Sequence, residues 1–538
     1  MQRSLPTAGR FRGHGGGHPL ARPLVALLAV TAVLAALLST AGTPLPRPAA
    51  GEAGGRLLPV IVREAPGSGV GAELAVQRLG GRVLRRLDII GGFSALVPAG
   101  RLAALRHSGG VGAVSPNGRV KLLTSAYDGV DPASTMSRVT TVTNAGTLWA
   151  AGYTGKGVGV ALIDSGIAPV EGLTTAGKVV NGPDLSFESQ SPDLRYLDTF
   201  GHGTAMAGII AGKDSNVTTV SGTTAQSSFM GMAPDATLIS VKVADQAGAT
   251  DISQILAAID WVVQHRNDPG LNIKVLNLSF GTDGTQAYTL DPLAYAAEVA
   301  WRAGITVVVA AGNSGYGSLR LNDPAYDPFV IAVGSASTYG QTSCTYTCSV
   351  SSFSSLGDST RTPDFLAPGQ SISSLDVPGG ALDTAFPAAR QGTRFFRGSG
   401  TSQATAVASG AAALLAQRYP TATPDQIKLL LRLLLRSTSF QLNRMTSAAS
   451  AGIINLAAAY SAPLPSATTA AQSFTRSTGT GSLELSRGST HLVDNGTTLS
   501  GEKDIMGRAF DARTWAAGAG SSNWTGGVWN GSRWTGDG

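Results

Sequence analysis

Gly157-Val-Gly-Val-Ala-Leu-Ile-Asp164-Ser-Gly166 decides the fold. The run Val158–Ile163 has no polar side chain, so it lacks the alternation of a strand with one wet face. A short apolar run bounded by glycine fits a strand buried on both sides. Similar, near-continuous runs follow at Thr237–Val243, Lys274–Phe280 and Ile305–Ala310. Helical stretches such as Asp251–His265 and Pro292–Ala303 lie between them. Thr423-Pro424-Asp425 is a helix start, with threonine as cap and proline at the first helical position. From Gly157 to about Ala459, strands and helices alternate. The pattern predicts an α/β domain with a doubly wound, mostly parallel sheet and helices on both faces.

Upstream, residues 56–121 read as a separate small α+β module. Leu57–Val62 is strand-like, Gly71–Leu79 a short amphipathic helix and Val83–Val97 strand material containing Ile-Ile-Gly-Gly-Phe-Ser-Ala (89–95). Arg101–His107 is a second helix, and Val111–Val114 opens another strand. That order fits a split βαβ unit. Further upstream, Arg3, Arg10, Arg12 and Arg22 precede the apolar run Leu24–Leu38, and Ser39, Thr40 and Ala41 follow. This is the layout of a secretory signal peptide over 1–41, and the run is short for a membrane span.

Charge is distributed unevenly. The 538 residues carry a net +6, yet residues 1–125 hold 15 Lys+Arg against 4 Asp+Glu. The rest is mildly acidic, with 25 against 30. A nucleic-acid binder carries its basic patch on the folded body, so that partner class is excluded. The two cysteines, Cys344 and Cys348, have three residues between them. Export permits a small local disulfide between them, while two thiolates without a nearby histidine cannot fill a zinc shell. After Ser461 the chain turns Ser-, Thr- and Gly-rich. Trp515, Trp524, Trp529 and Trp534 recur there, a spacing that suggests turn-based repeats or a flexible tail.

Four segments can carry chemistry. Asp164 ends a buried strand, where open α/β sheets place their sites, although a turn aspartate is the commoner case. His202 lies in Gly201-His-Gly-Thr204 ahead of an apolar helix, with glycines that allow close backbone approach. His14, His18 and His107 fall in segments expected to be removed, His265 ends a polar-faced helix, and His491 lies in the tail. Ser402 lies in Gly400-Thr-Ser-Gln-Ala404 at a helix start. Capping is the ordinary role of such a serine, but the helix N-terminus also suits a developing oxyanion. Asn313, in Ala310-Ala-Gly-Asn-Ser-Gly315, is a turn residue by default whose amide can point at a reacting oxygen.

Taken together, these segments resemble the subtilisin-like serine proteases, the subtilases. The order Asp, His, Ser is that of subtilisin. The resemblance implies a serine endopeptidase with Asp164, His202 and Ser402 as triad and Asn313 in the oxyanion hole. Asn277-Leu-Ser279-Phe280-Gly281 is similar to the family's substrate-lining strand, and Gly312 is expected to bind substrate with Ser279, Phe280 and Gly281. Gly231-Met-Ala-Pro234 is also family-like. The expected organisation is a signal peptide (1–41), an inhibitory propeptide that aids folding (42–125), a subtilisin-like peptidase domain (126–461) and a tail (462–538). The expected partners are protein or peptide substrates and the chain's own propeptide, with cell-wall or glycan contact by the Trp-rich tail. The implied location is extracellular or at the cell envelope, with self-cleavage in 118–135. No cofactor is required for the chemistry, no metal ligand is assigned, and structural calcium stays open.

The sequence departs from the family at several points. Ala205 stands where a second histidine is usual, and Gln403-Ala-Thr-Ala406 replaces the usual Met-Ala-Ala-Pro. Residues 370–397 read as an enlarged loop. An esterase reading would need Gly-x-Ser-x-Gly, and Ala404 breaks it. Gly155-x-Gly157 precedes its strand, whereas a dinucleotide fingerprint follows one. A secreted binding protein on a degenerate protease fold is the non-enzyme alternative.

Overall fold

The computed structural model describes residues 57–87, 92–116, 135–189, 191–220, 228–317, 320–344, 348–433, 452–489, 491–494, 497–505, 507–520, 528–529 and 532–533. The proposed signal peptide and nearly all of the proposed self-cleavage region lie outside these.

The N-terminal module follows the expected order: β1 (Leu57–Glu64), α1 (Gly71–Arg78), β2 (Arg82–Leu87), β3 (Gly92–Pro98), α2 (Leu102–Arg106) and β4 (Val111–Pro116). The sheet order is β2-β3-β1-β4, and β1 pairs antiparallel with both β3 and β4. Val60, Val62, Phe93, Ala95 and Val97 project to one side, where Ala72, Ala75, Val76 and Leu105 of the two helices cover them in a core of their own.

The main domain is built on β5 (Gly159–Asp164), β6 (Val179–Asp184), α3 (His202–Ala211), β7 (Thr237–Lys242), α4 (Ile252–His265), β8 (Ile273–Leu278), α5 (Pro292–Arg302), β9 (Thr306–Ala310), β10 (Ile331–Ser337), β11 (Ser349–Val350), β12 (Phe365–Pro368) and α6 (Thr401–Arg418). Its sheet runs β11-β10-β9-β8-β5-β7-β6, with β12 also on β10. All these pairings are parallel except that of β11, which is antiparallel. Every residue of β5 is buried, as expected for a strand covered on both faces. Helices α3 and α6 pack together on the sheet, as do α4 and α5. Side-chain caps set the starts of α4 and α5: Asp251 forms a capping box with Gln254, and Asp291 accepts the N–H groups of Leu293 and Ala294.

The strand order reverses at β5. The chain places β7 on one side of it, then crosses back to lay β8 on the other. Asp164 is the last residue of that strand, so it lies at the switch point, where open α/β sheets form a crevice for ligands.

Two expectations need correction. Residues 370–397 are not a plain loop. They hold a small antiparallel sheet of Ile372–Leu375, Arg390–Gln391 and Phe395–Gly398. The described part of 462–520 is not a loose tail either. Leu483, Phe510 and Trp515 belong to the main core. The Trp515 ring stands edge-on to Tyr295 at 5.6 Å, and Tyr295 Oη donates to Ala516 O at 2.9 Å. Trp524 and Trp534 lie outside the described residues. Cys344 and Cys348 form a disulfide.

Candidate active site

The local sequence explains how α3 presents His202. Gly201 has φ +110°, a left-handed conformation that favours glycine. A Cβ on Gly203 would lie 2.1 Å from Gly166 O, so only glycine lets the helix start approach the β5 turn. His202 is thereby held against Asp164, with Nδ1 2.8 Å from Oδ1 and 3.0 Å from Oδ2. Both residues are 1% exposed. A carboxylate only accepts, so Nδ1 carries the proton and Nε2 is left as the basic nitrogen. Nε2 has no hydrogen-bond partner among the described residues.

A second carboxylate stands behind this pair. Asp198 is fully buried. It accepts the N–H groups of Phe200 (3.1 Å), Gly201 (2.7 Å) and Thr204 (2.8 Å) and the Thr204 hydroxyl (2.7 Å). The Ser165 hydroxyl lies 2.9 Å from Asp198 Oδ1 and 3.3 Å from Asp164 Oδ1. It has one proton, and the shorter contact assigns it to Asp198. Ser165 Oγ accepts Gly203 N–H at 2.9 Å, and Ser165 N–H donates to Asp164 at 2.8 Å. Burial pushes the Asp198 carboxyl above its ordinary range, while the bonds from Gly201 and Thr204 pull the other way.

Ser402 is the second residue of α6, whose preceding residue is Gly400. Its hydroxyl donates to Ser279 O at 2.7 Å, which brings the 279–281 segment against it. Ser279 and Phe280 have buried side chains, so this segment offers a peptide its backbone. The Ser279 hydroxyl instead accepts from Asn277 Nδ2 at 2.7 Å. Asn313 Oδ1 accepts both the N–H and the hydroxyl of Thr401, each at 2.9 Å. That fixes the flip of the carboxamide and leaves Nδ2 as the donating end. Gly312 N–H donates to Thr401 Oγ1 at 3.2 Å. Thr401 therefore ties the Asn313 turn to the helix start that carries Ser402.

The other histidines are engaged elsewhere. His265 Nδ1 pairs with Asp268 at 2.6 Å, and His491 Nε2 pairs with Glu484 at 2.9 Å. Sequence reading missed Ser165, Asp198 and Thr401. A carboxylate one turn ahead of a helix start was the available signal for Asp198. Among the described residues no cluster of three or more His, Cys, Asp or Glu is arranged to hold a metal ion, and no helix is long and apolar enough to cross a membrane.

Fold and site together define a class: a doubly wound α/β protein in which an aspartate, a histidine and a serine are set out in that chain order around a switch-point strand. The chain belongs to the subtilase family, whose model matches residues 155–452. It is 38% identical to serine protease AprX of Bacillus subtilis over 285 residues, 52% of this chain and 61% of that protein. It is 33% identical to the minor extracellular protease Epr of the same organism over 280 residues, 52% of this chain and 35% of that one. The chain thus spans less than two thirds of the length of these curated relatives. The crystal structure of a cold adapted subtilisin-like serine proteinase is 29% identical, covering 56% of this chain and 88% of that one at a TM-score of 0.40.

Proposed function

We propose that the chain is a secreted serine endopeptidase, made as a precursor, that hydrolyses peptide bonds through Ser402, His202 and Asp164. The observation that carries this reading is the buried Asp164–His202 pair at the switch point, with Nε2 unpaired. The Asn313 amide and the Ser402 helix start are in turn joined to each other through Thr401. On this reading, rotation about the Ser402 Cα–Cβ bond moves the hydroxyl from Ser279 O to His202 Nε2. Oγ then attacks the peptide carbonyl carbon as its proton passes to Nε2. Asp164 holds the tautomer and offsets the imidazolium charge. Asn313 Nδ2 and the Ser402 N–H take the oxyanion. As the C–N bond breaks, Nε2 returns its proton to the leaving amine. Water then repeats the cycle on the acyl-enzyme and releases the acid.

Family membership supports protein or peptide substrates, and a relative described as extracellular supports secretion. In the same proposal, residues 42–125 are an inhibitory propeptide, and Trp524, Trp529 and Trp534 touch glycans, while Trp515 is buried in the core.

Casein hydrolysis by the secreted wild type, Ser402→Ala and Asn313→Ala tests the reading. Ser402→Ala is expected to be inert and to keep its propeptide. Asn313→Ala should lose about 100- to 1,000-fold in turnover with little change in KM. Equal activity of Ser402→Ala and wild type overturns the proposal.

A further inference from the structure

The family match ends at residue 452, yet the chain beyond it holds the two loops that flank the candidate site. One loop follows β7 and leads to the α4 cap at Asp251. The other follows β8 and leads from Ser279–Gly281 to the α5 cap at Asp291. Both leave the sheet at the same edge as Asp164.

Arg487 grips the first loop. It is 0% exposed, and all five of its N–H donors have acceptors. Nε and Nη2 reach the Asp251 carboxylate at 2.8 and 3.2 Å. Nη1 reaches Gly501 O at 2.9 Å and Glu484 at 3.3 Å, and Nη2 reaches Lys503 O at 2.5 Å. A planar fork so matched is not replaceable by a point charge. Leu492 and Leu499 pack on Ala249 in the same loop, and Ile505 N–H donates to Ser253 Oγ at 2.9 Å.

The residues beside Arg487 grip the second loop. Ser486 Oγ donates to Asp291 at 2.5 Å, and its carbonyl accepts the Thr282 hydroxyl. Thr285 N–H donates to Leu485 O at 3.0 Å. Ser489 N–H donates to Asp283 Oδ1 at 2.6 Å, and its hydroxyl to Oδ2. Thr282 and Asp283 directly follow Gly281. The grip therefore falls within four residues of Ser279, whose carbonyl holds the Ser402 hydroxyl.

We propose that the described residues of 482–505 form a strap that sets the spacing of the two walls of the peptide cleft, with Arg487 as its central positioning residue. The strap selects for extended peptides that lie along 279–281. The proposal rests on the peptidase reading. A short ester that touches only the reacting groups does not sense the wall spacing, whereas a peptide long enough to span both loops does. Loss of such binding, common to ground and transition states, raises KM and spares kcat.

The test compares a tetrapeptide p-nitroanilide with a single-residue ethyl ester, using the full chain and its Arg487→Lys and Ser489→Ala variants. Ser489 is exposed, so its variant keeps the fold if Arg487→Lys does not. Arg487→Lys is expected to raise KM for the tetrapeptide about tenfold and Ser489→Ala about threefold, with kcat and ester hydrolysis unchanged. Equal losses on both substrates, or unchanged KM in a folded Ser489→Ala variant, overturn the strap while wild-type activity keeps the peptidase reading. If the wild type cleaves neither substrate, the peptidase reading falls and takes the strap with it.

Discussion

On the peptidase reading, Asp198 takes no part in the bond changes and still governs them. Its two oxygens gather the start of α3 and, through Ser165, the end of β5. His202 and Asp164 come from these two elements, so Asp198 fixes their relative position. An asparagine there would turn an NH2 group toward N–H donors that need an acceptor. Asp198→Asn is expected to lower kcat about 10- to 100-fold, the scale of a small misplacement of catalytic groups, with KM within about twofold. Steady-state kinetics beside a melting curve checks this, and a rise in KM with kcat intact would contradict it. As candidates, Asp164, His202, Ser402 and Asn313 stand out in the sequence because each sits among glycines next to an apolar run. Asp198 lies in a turn-rich stretch with no apolar frame, and Thr401 looks like any residue beside a helix cap. Their roles follow from distances across the fold, which spacing in the chain does not encode.

Among the elements, the buried strands were the most legible. Val158–Ile163 and Ile305–Ala310 announce themselves because strands covered on both faces need apolar side chains throughout. The segment beyond 461 was misread for the converse reason. It docks by one buried arginine, several hydroxyls and single apolar side chains such as Leu483 and Trp515, which leave no period in the sequence. Another polar tie secures the far edge of the sheet. Asp364, ahead of β12, accepts Ala332 N–H at 2.9 Å and faces Arg361 at 3.0 Å, with Lys428 and Arg432 each at 3.4 Å. Burial alone would raise its carboxyl, but Arg361 and Lys428 outweigh this and hold it at about 2. A carboxyl depressed in the folded state adds stability above its unfolded value of 3.8 and loses it as pH falls toward about 2. Asp364→Asn is expected to cost on the order of 2 kcal/mol at pH 7. The gap from wild type should narrow between pH 4 and 2. Urea unfolding at pH 7 and pH 3 measures it, and a gap that widens at pH 3 would reject the assignment.

Across the whole molecule, charge and packing divide along the same line. The N-terminal module keeps a hydrophobic core separate from the main one. Its strands β1 and β4 meet the hairpin of Val493–Asp494 and Thr497–Thr498, a part of the strap. Residues 42–125 carry 11 Lys+Arg against 4 Asp+Glu, and residues 126–538 carry 25 against 30. Two units with their own cores and opposite net charge should attract over distances that salt can screen. The Debye length falls from about 10 Å at 0.1 M to about 3 Å at 1 M. Contacts at short range are screened far less, so salt should act on encounter and spare the formed complex. On the proposed propeptide reading, residues 42–125 added to the mature enzyme should inhibit it with an association rate that falls about tenfold between 0.1 and 1 M NaCl. The dissociation rate should change little. Progress curves over a salt series give both rates. An association rate indifferent to salt would mean that the charge asymmetry plays no part in docking, and that apolar contact with the hairpin and the body carries it alone.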